Sequence, residues 1–335
     1  MKWTKLTLNT TTQALDYLGA IAMDLGLEGF EIEDNVPLTE EEKKRMFIDI
    51  LPTLPPDDGS ARVSFYVSED TDTDRLLEDI KDAAKDYSDF CDFGEMTFAV
   101  GTTDDKDYIN NWKKYFRSFR VNERLVIKPT WEEKAPMAGE GDTVIEIDPG
   151  TAFGTGAHET TKLCLLAMSE YLKKGDTCID IGCGSGILSI ASILFGAKYA
   201  FGFDVDDNAS RISVENASVN KIPARYCEDL ESCDIDGIED RTILFATGNL
   251  LSSEDLPKSL EGHEFDFTAA NILADIIIPL APYARKLTKK GGYITCSGIL
   301  TTKEDSVVKA LEKNGFEIVR TERMGEWSGI TARAV

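Results

Sequence analysis

The chain has 335 residues and carries 36 Lys and Arg against 60 Asp and Glu, a formal net charge of −24. This length predicts about two domains, and a composition of 42% hydrophobic and 29% charged residues excludes wholesale disorder. A field of this sign disfavours naked nucleic acid and anionic membranes as partners and favours a basic protein.

Cysteine usage and the apolar runs predict a cytoplasmic location. The seven cysteines form no Cys-x-x-Cys pair, and the N-terminus lacks the apolar core of a secretory signal. The longest uncharged apolar run, residues 187–197, is shorter than the roughly 20 residues that span a bilayer. We therefore expect a cytoplasmic protein in a reducing compartment, without contact to membranes.

The first domain is predicted at residues 1–103. Alternation and helical spacing predict strands at 2–8, 29–33, 62–67 and 95–100 and helices at 12–25, 40–51 and 73–87. Two strand–helix–strand units in series are typical of a small α+β, ferredoxin-like domain. Because residues 1–110 hold 10 basic residues against 26 acidic ones, we expect this domain to recognise a basic substrate.

A basic, aromatic-rich segment follows at residues 111–134, with seven Lys or Arg against three Glu. One interpretation is a linker helix over residues 104–120 that packs Trp112 and Phe116 against a domain. The other is a nucleic-acid contact. The linker helix is favoured, and no direct binding of nucleic acid is expected.

Strands and helices alternate through the second predicted domain, residues 121–335. Strands are predicted at 177–181, 199–203, 265–270, 293–297, 316–322 and 329–334, and helices at 187–195, 207–219, after 273 and at 303–314. This alternation predicts an α/β, doubly wound, Rossmann-like sheet that ends in an antiparallel hairpin. Residues 228–263 lack clear periodicity and are predicted to be an insertion or a long loop.

The sharpest motif joins a predicted strand to a predicted helix through Asp180, Gly182, Gly184 and Gly186. Alternate glycines let the backbone turn tightly and let a ligand approach without a Cβ in the way. Asp204 ends the next strand, where a carboxylate can accept both ribose hydroxyls of a nucleoside. These five residues are therefore predicted to bind a cofactor; the alternative is a tight turn without a ligand.

Spacing separates two cofactor classes. The dinucleotide pattern G-x-G-x-x-G fails, because its last glycine would stand at Ile187. The observed acid-x-G-x-G-x-G pattern resembles motif I of class I S-adenosylmethionine-dependent methyltransferases.

Two further motifs flank this one. Residues 148–161 form a glycine-rich loop in which Phe153 can exclude water from a bound cofactor. The loop can also be a linker whose Thr160 caps the next helix, and the two interpretations are compatible. Asn271, Ile272 and Leu273 end the strand that we expect beside the glycine-rich strand, at the edge where an open α/β sheet binds its ligands.

Together these motifs resemble the bacterial ribosomal protein L-eleven (L11) methyltransferase family, over most of the chain. The resemblance implies S-adenosyl-L-methionine as cofactor and L11, free or before ribosome assembly, as the basic partner, methylated on lysine ε-amines and the N-terminal α-amine. It implies cofactor contacts from Thr161, Gly182, Asp204 and Asn271. It also implies a lid over the cofactor formed by Phe153, Gly154, Thr155 and Gly156. The chain departs from the family pattern at residues 228–263.

Methyl transfer from a sulfonium needs mainly positioning. An apolar site lined by Ile272 and Leu273 lowers the pKa of an acceptor lysine, and Asn271 can hold its amine hydrogens. These three residues are the predicted catalytic residues. Methyltransferases that act on flat acceptors commonly carry an aromatic residue where Ala274 stands, so an amine acceptor is favoured.

Other chemistry-bearing residues receive structural interpretations. His158 is favoured as a residue at a helix terminus over a general base, and Cys183 is expected to pack in the core. No metal site is predicted. Two rival functions stay open: a methyltransferase for nucleic acid or a small molecule, and a non-catalytic module that binds S-adenosylmethionine.

Overall fold

The computed structural model of the chain describes residues 2–27, 30–37, 55–68, 70–88, 90–104, 117–148, 154, 156–253 and 255–335. These residues belong to two compact units, Met1–Lys114 and Tyr115–Val335. The helix predicted at 40–51 lies outside the described residues.

In its described residues, the first unit is an antiparallel sheet with two helices. Its elements are β1 (Lys2–Thr11), α1 (Leu15–Asp24), β2 (Phe30–Asp34), β3 (Ser60–Ser68), α2 (Thr73–Asp86) and β4 (Thr97–Asp104). The strand order is β2-β3-β1-β4. Alternation buries Leu6, Leu8 and Phe65 on one face of the sheet, where Leu18 of α1 and Ile80 of α2 join the same core. The ferredoxin-like fold predicted from the sequence is confirmed.

The second unit contains a small sheet and a large one. Its elements are β5 (Phe119–Arg120), β6 (Leu125–Pro129), β7 (Thr143–Ile147), α3 (Glu159–Tyr171), β8 (Thr177–Ile181), α4 (Ile187–Leu194), β9 (Tyr199–Asp204), α5 (Asp207–Val219), β10 (Ala224–Cys227), β11 (Ile243–Thr247), β12 (Phe265–Asn271), α6 (Ala274–Leu287), β13 (Thr288–Leu300), α7 (Glu304–Lys313), β14 (Phe316–Met324) and β15 (Trp327–Ala334).

The small sheet has the order β5-β6-β7, and the large sheet has the order β10-β11-β9-β8-β12-β13-β15-β14. In the large sheet the first six strands of that order run parallel, and β15 pairs antiparallel with both β13 and β14. The predicted doubly wound sheet with a terminal hairpin is therefore confirmed.

The centre of the large sheet positions the site. All five residues of β8 are buried, and Phe201, Phe245 and Phe267 of other interior strands are 0% exposed. Parallel strands that are covered on both faces need such continuous apolar runs. The carboxyl ends of β8, β9 and β12 meet at one edge of the sheet, and the glycine-rich motif, Asp204 and Asn271 stand there.

Residues 228–263 are not the long loop that was predicted. They contain β11, an interior strand between β10 and β9, and they bury Leu230, Ile235 and Leu260 in the core. The short apolar run of β11 is flanked by acidic turns, which hide it when periodicity is judged over the whole segment.

The predicted linker helix over 104–120 is wrong at its described ends. Asp104 belongs to β4, and Phe119 and Arg120 form β5, which pairs with β6. The rest of that prediction, including Trp112 and Phe116, lies outside the described residues. Across the described ranges, none of the helices is both long enough and apolar enough to cross a membrane.

Candidate active site

The glycine-rich turn connects β8 to α4 at the carboxyl edge of the large sheet. Gly182, Gly184 and Gly186 have φ angles of 76°, 54° and 79°, a region that disfavours residues with a Cβ. A Cβ added at Gly186 would lie 2.9 Å from Ser213 and 3.1 Å from Phe245. The turn therefore requires glycine both for its backbone conformation and for its packing.

Asp204 lies directly against this turn. The amides of Gly182 and Cys183 donate to the Phe203 carbonyl oxygen at 2.9 and 3.0 Å, which fixes the turn on β9. The Gly184 amide then donates to Asp204 Oδ2 at 2.9 Å. The structure thus brings together the predicted glycines and the predicted ribose-binding carboxylate.

Asp180 is buried beneath the turn. Its Oδ2 accepts hydrogen bonds from the Ser189 amide at 3.0 Å and from Ser189 Oγ at 2.7 Å, which ties β8 to the first turn of α4. Its Oδ1 is buried without a hydrogen-bond partner among the described residues. Burial raises the pKa of Asp180 to about 7, although the bonds from Ser189 act in the opposite direction.

The glycine-rich loop reaches the same turn. Its predicted lid residues Phe153 and Thr155 lie outside the described residues. The Gly154 carbonyl oxygen accepts a hydrogen bond from Ser185 Oγ at 2.6 Å. A Cβ on Gly156 would lie 2.7 Å from Ile187 Cδ1. The described part of the loop therefore packs directly on the start of α4.

Asn216 of α5 connects the base of this loop to the turn, and sequence reasoning missed it. Its Nδ2 donates to the Ser185 carbonyl oxygen at 2.9 Å, and its Oδ1 accepts from the Asp148 amide at 2.9 Å. The side chain is 2% exposed. A polar residue on the inner face of a helix beside a glycine motif is the one signal that could have indicated this role.

Thr161 and Asn271 meet at the other side of the turn. Asn271 Nδ2 donates to Thr161 Oγ1 at 3.1 Å, although 110 residues separate them along the chain. Ile272 and Leu273 follow Asn271 and are half-buried, and a Cβ added at Gly182 would lie 2.5 Å from Ile272 Cγ2. The three predicted catalytic residues therefore border the predicted cofactor turn.

His158 is the N-cap of α3, the helix that presents Thr161. Its ring nitrogen Nδ1 accepts from the Thr160 amide at 3.4 Å, and its ring contacts Trp327 edge-on at a centroid distance of 5.1 Å. The residue thus stands at a helix terminus, and the interpretation in which Thr160 caps this helix is wrong.

The model of a known protein family matches this chain along nearly its whole length. The family described as Ribosomal protein L11 methyltransferase matches residues 2–334. The chain belongs to the ribosomal protein L11 methyltransferase family. The resemblance inferred from the motifs is therefore confirmed.

Relatives support the assignment across both units. A protein named Ribosomal protein L11 methyltransferase from Lachnoclostridium phytofermentans is 47% identical over 333 residues, covering 99% of both chains. A protein of the same name from Lachnospira eligens is 45% identical over 335 residues, again covering 99% of both chains.

A solved structure is also similar to this chain. The crystal structure of a ribosomal protein L11 methylase from Lactobacillus delbrueckii subsp. bulgaricus is similar with a TM-score of 0.53 and 31% sequence identity. The match covers 66% of this chain and 100% of that chain.

The described residues also bear on two other kinds of site, a cysteine nucleophile and a metal site. Burial raises the pKa of the Cys183 thiol, and its Sγ lies 3.7 Å from Ser213 Oγ, so this thiol suits packing rather than nucleophilic attack. Those ranges contain no cluster of three or more His, Cys, Asp or Glu side chains that could hold a metal ion.

Proposed function

We propose that the chain transfers methyl groups from S-adenosyl-L-methionine to amino groups of ribosomal protein L11, on lysine side chains and at the N-terminus. The observation that carries the proposal is one junction. In a chain of this family, the glycine-rich turn, the Asp204 carboxylate and the Thr161–Asn271 pair adjoin at a single sheet edge.

The residues at this junction fit the cofactor's chemistry. Asp204 uses one acceptor position of each oxygen for the amides of Gly184 and Asp206, at 2.9 and 3.0 Å, and each carboxylate oxygen keeps a second position for a ribose hydroxyl. Val205 is 68% exposed and offers an apolar surface for a purine. Asp180 Oδ1 is a buried acceptor without a partner among the described residues beneath the turn.

When bound, S-adenosylmethionine supplies an electrophilic methyl group on a sulfonium. The chain's own residues prepare the acceptor. Ile272 and Leu273 present apolar side chains that disfavour a charged ammonium, so they lower the pKa of an acceptor amine. Thr161 fixes the Asn271 amide through its Nδ2, which leaves Asn271 Oδ1 to accept a hydrogen of that amine and orient its lone pair.

The acidic first unit supports a basic protein as substrate. Helix α2 and its N-cap expose several carboxylates: Asp72, Asp74, Glu78, Asp79, Asp82 and Asp86. Such a surface attracts and orients a lysine-rich partner before docking. We place recognition of L11 in this unit and the reaction in the cytoplasm, because ribosomal proteins are made there.

The proposal is tested by incubating the purified protein with labelled S-adenosylmethionine and, separately, with free L11, intact ribosomes and protein-free ribosomal RNA. Intact-mass analysis should show L11 gaining mass in whole methyl increments, and peptide mapping should place them on amines. Label on RNA alone would replace the proposal with a nucleic-acid methyltransferase. Cofactor binding without transfer to any acceptor would replace it with a sensor module.

A further inference from the structure

A buried chain of hydrogen bonds supports the acceptor side of the site from behind. The Ile272 amide donates to the Ser297 carbonyl oxygen at 3.1 Å. Ser297 lies on β13 opposite Asn271 and is 0% exposed. Its hydroxyl is buried, and Oγ donates to the Ser328 carbonyl oxygen on β15 at 3.0 Å.

The series of hydrogen bonds continues to the surface through α7. Ser328, also 0% exposed, donates from Oγ to Glu304 Oε2 at 2.5 Å. Arg323 grips both oxygens of Glu304, with Nε 2.8 Å from Oε2 and one terminal nitrogen 2.7 Å from Oε1. A bidentate pair of this kind holds its partners in one orientation.

Strand β13 lies so close to residues 271–273 that neither can move without the other. Gly298 has a φ of 82°, and a Cβ there would lie 2.5 Å from the Ile272 carbonyl oxygen and 3.2 Å from the Ile272 nitrogen. The β13–β15 register shifts between Cys296 and Ile299, which indicates a β-bulge at this point of β13. A shift of Ser297 therefore displaces the Ile272 peptide.

We propose that Ser297 is a positioning residue for methyl transfer. It holds the backbone of Asn271, Ile272 and Leu273, and it is itself held by a series of hydrogen bonds that continues through Ser328 and Glu304. The inference rests on the proposed function and goes beyond it. A buried polar chain between two strands contributes little net stability compared with apolar packing, but it fixes a unique geometry at its ends. One of those ends is the amide that follows Asn271.

Ser297→Ala tests this role, with Ser192→Ala as the matched control. Ser192 is equally buried, and its Oγ donates to a backbone carbonyl oxygen at 2.6 Å within α4. Single-turnover rates of methyl transfer to L11 should fall about 3- to 10-fold in Ser297→Ala. The Kd for S-adenosylmethionine should stay within about twofold of wild type. Ser192→Ala should keep the wild-type rate.

A second variant, Glu304→Gln, keeps an acceptor for Ser328 but weakens the grip of Arg323, and it should slow transfer about two- to threefold with unchanged cofactor affinity. It decides the question if Ser297→Ala does not fold. Equal rates of methyl transfer for wild type, Ser297→Ala and Glu304→Gln would overturn the positioning role. An inactive wild type would instead overturn the proposed function, and the positioning role with it.

Discussion

At the residue scale, Asp204 serves two tasks with one carboxylate. Its carboxylate shapes the glycine-rich turn, since the Gly184 amide donates to Oδ2, and its remaining acceptor positions are the ones that we propose for the ribose hydroxyls. Asp206, two residues on, is exposed and caps α5 by accepting from the Asn208 amide at 2.9 Å. Neighbouring identical side chains thus have separable roles.

Asp204→Asn should weaken S-adenosylmethionine binding by about 10- to 100-fold, because hydrogen bonds to a charged acceptor are worth about 1.5–3 kcal/mol each. Isothermal titration calorimetry measures the Kd directly. The matched variant Asp206→Asn keeps the cap and should bind within about twofold of wild type. Equal losses in the two variants would assign the effect to general electrostatics.

Asp180 should make stability depend on pH in an unusual direction. Burial raises its folded-state pKa from 3.8 to about 7, so the folded protein binds this proton more tightly than the unfolded chain. The stabilisation is complete below about pH 4 and is lost as pH rises through about 7.

Asp180→Asn cannot ionise, so between about pH 5 and 8 wild type should lose about 1–3 kcal/mol of unfolding free energy relative to this variant. Urea denaturation at a series of pH values gives the difference. Parallel curves for the two proteins would show that Asp180 stays ionised without penalty.

Sequence reasoning reached the residues that carry a motif and missed those that act through tertiary contacts. The glycines follow a strand, and Asp204 and Asn271 end strands, so parallel-sheet geometry alone predicts that they meet. Asn216 and Ser297 resemble ordinary helix and strand residues in the sequence. Their roles depend on distant partners, such as Asp148 for Asn216 and Ser328 for Ser297, which no local pattern contains.

At the element scale, the β8–α4 junction depends on glycine for two separable reasons. Gly186 and Gly175 both have positive φ, 79° and 92°. A Cβ at Gly186 meets Ser213 and Phe245, whereas a Cβ at Gly175 meets nothing within 4 Å. The pair therefore separates the cost of conformation from the cost of crowding.

Gly175→Ala should lower the free energy of unfolding by about 1 kcal/mol, the cost of a left-handed residue with a Cβ. Gly186→Ala should cost about 2 kcal/mol more, since crowding in a packed interior adds to that conformation. Denaturant unfolding of the two variants measures both quantities. If the variants are equally stable, Ser213 and Phe245 move aside without cost.

Elements with a strong local signal were predicted with correct bounds, and those shaped by neighbours were not. Strand β8 and helix α5 match the predicted residues 177–181 and 207–219. Strand β13 extends well beyond 293–297, from Thr288 to Leu300, because Thr288 already pairs with Phe265 of β12 before a register shift, and pairing with β15 continues to Leu300. Strand β11 exists because β9 and β10 flank it.

At the scale of the whole molecule, the excess negative charge is concentrated in residues 1–110. If the first unit recruits basic L11, neutralising carboxylates on α2 should slow association. Neutralising the same number in the second unit should not.

Glu78→Gln with Asp79→Asn, on α2, should reduce the association rate with L11 about two- to fivefold at low salt. The difference should shrink as ionic strength rises and screening lengths shorten. The matched pair Glu239→Gln with Asp240→Asn, also exposed, should associate at nearly the wild-type rate. Association rates that change neither with ionic strength nor with the unit in which the carboxylates are neutralised would contradict recruitment by charge.

The position of β15 governs how the molecule can assemble during synthesis. β15 follows every other described strand along the chain, yet it lies inside the large sheet, between β13 and β14. β14 is bonded within that sheet through β15, so the hairpin cannot dock before residues 327–334 leave the ribosome. The parallel strands β8 to β13 all precede the hairpin along the chain, so the Ser328 support behind Ile272 forms last.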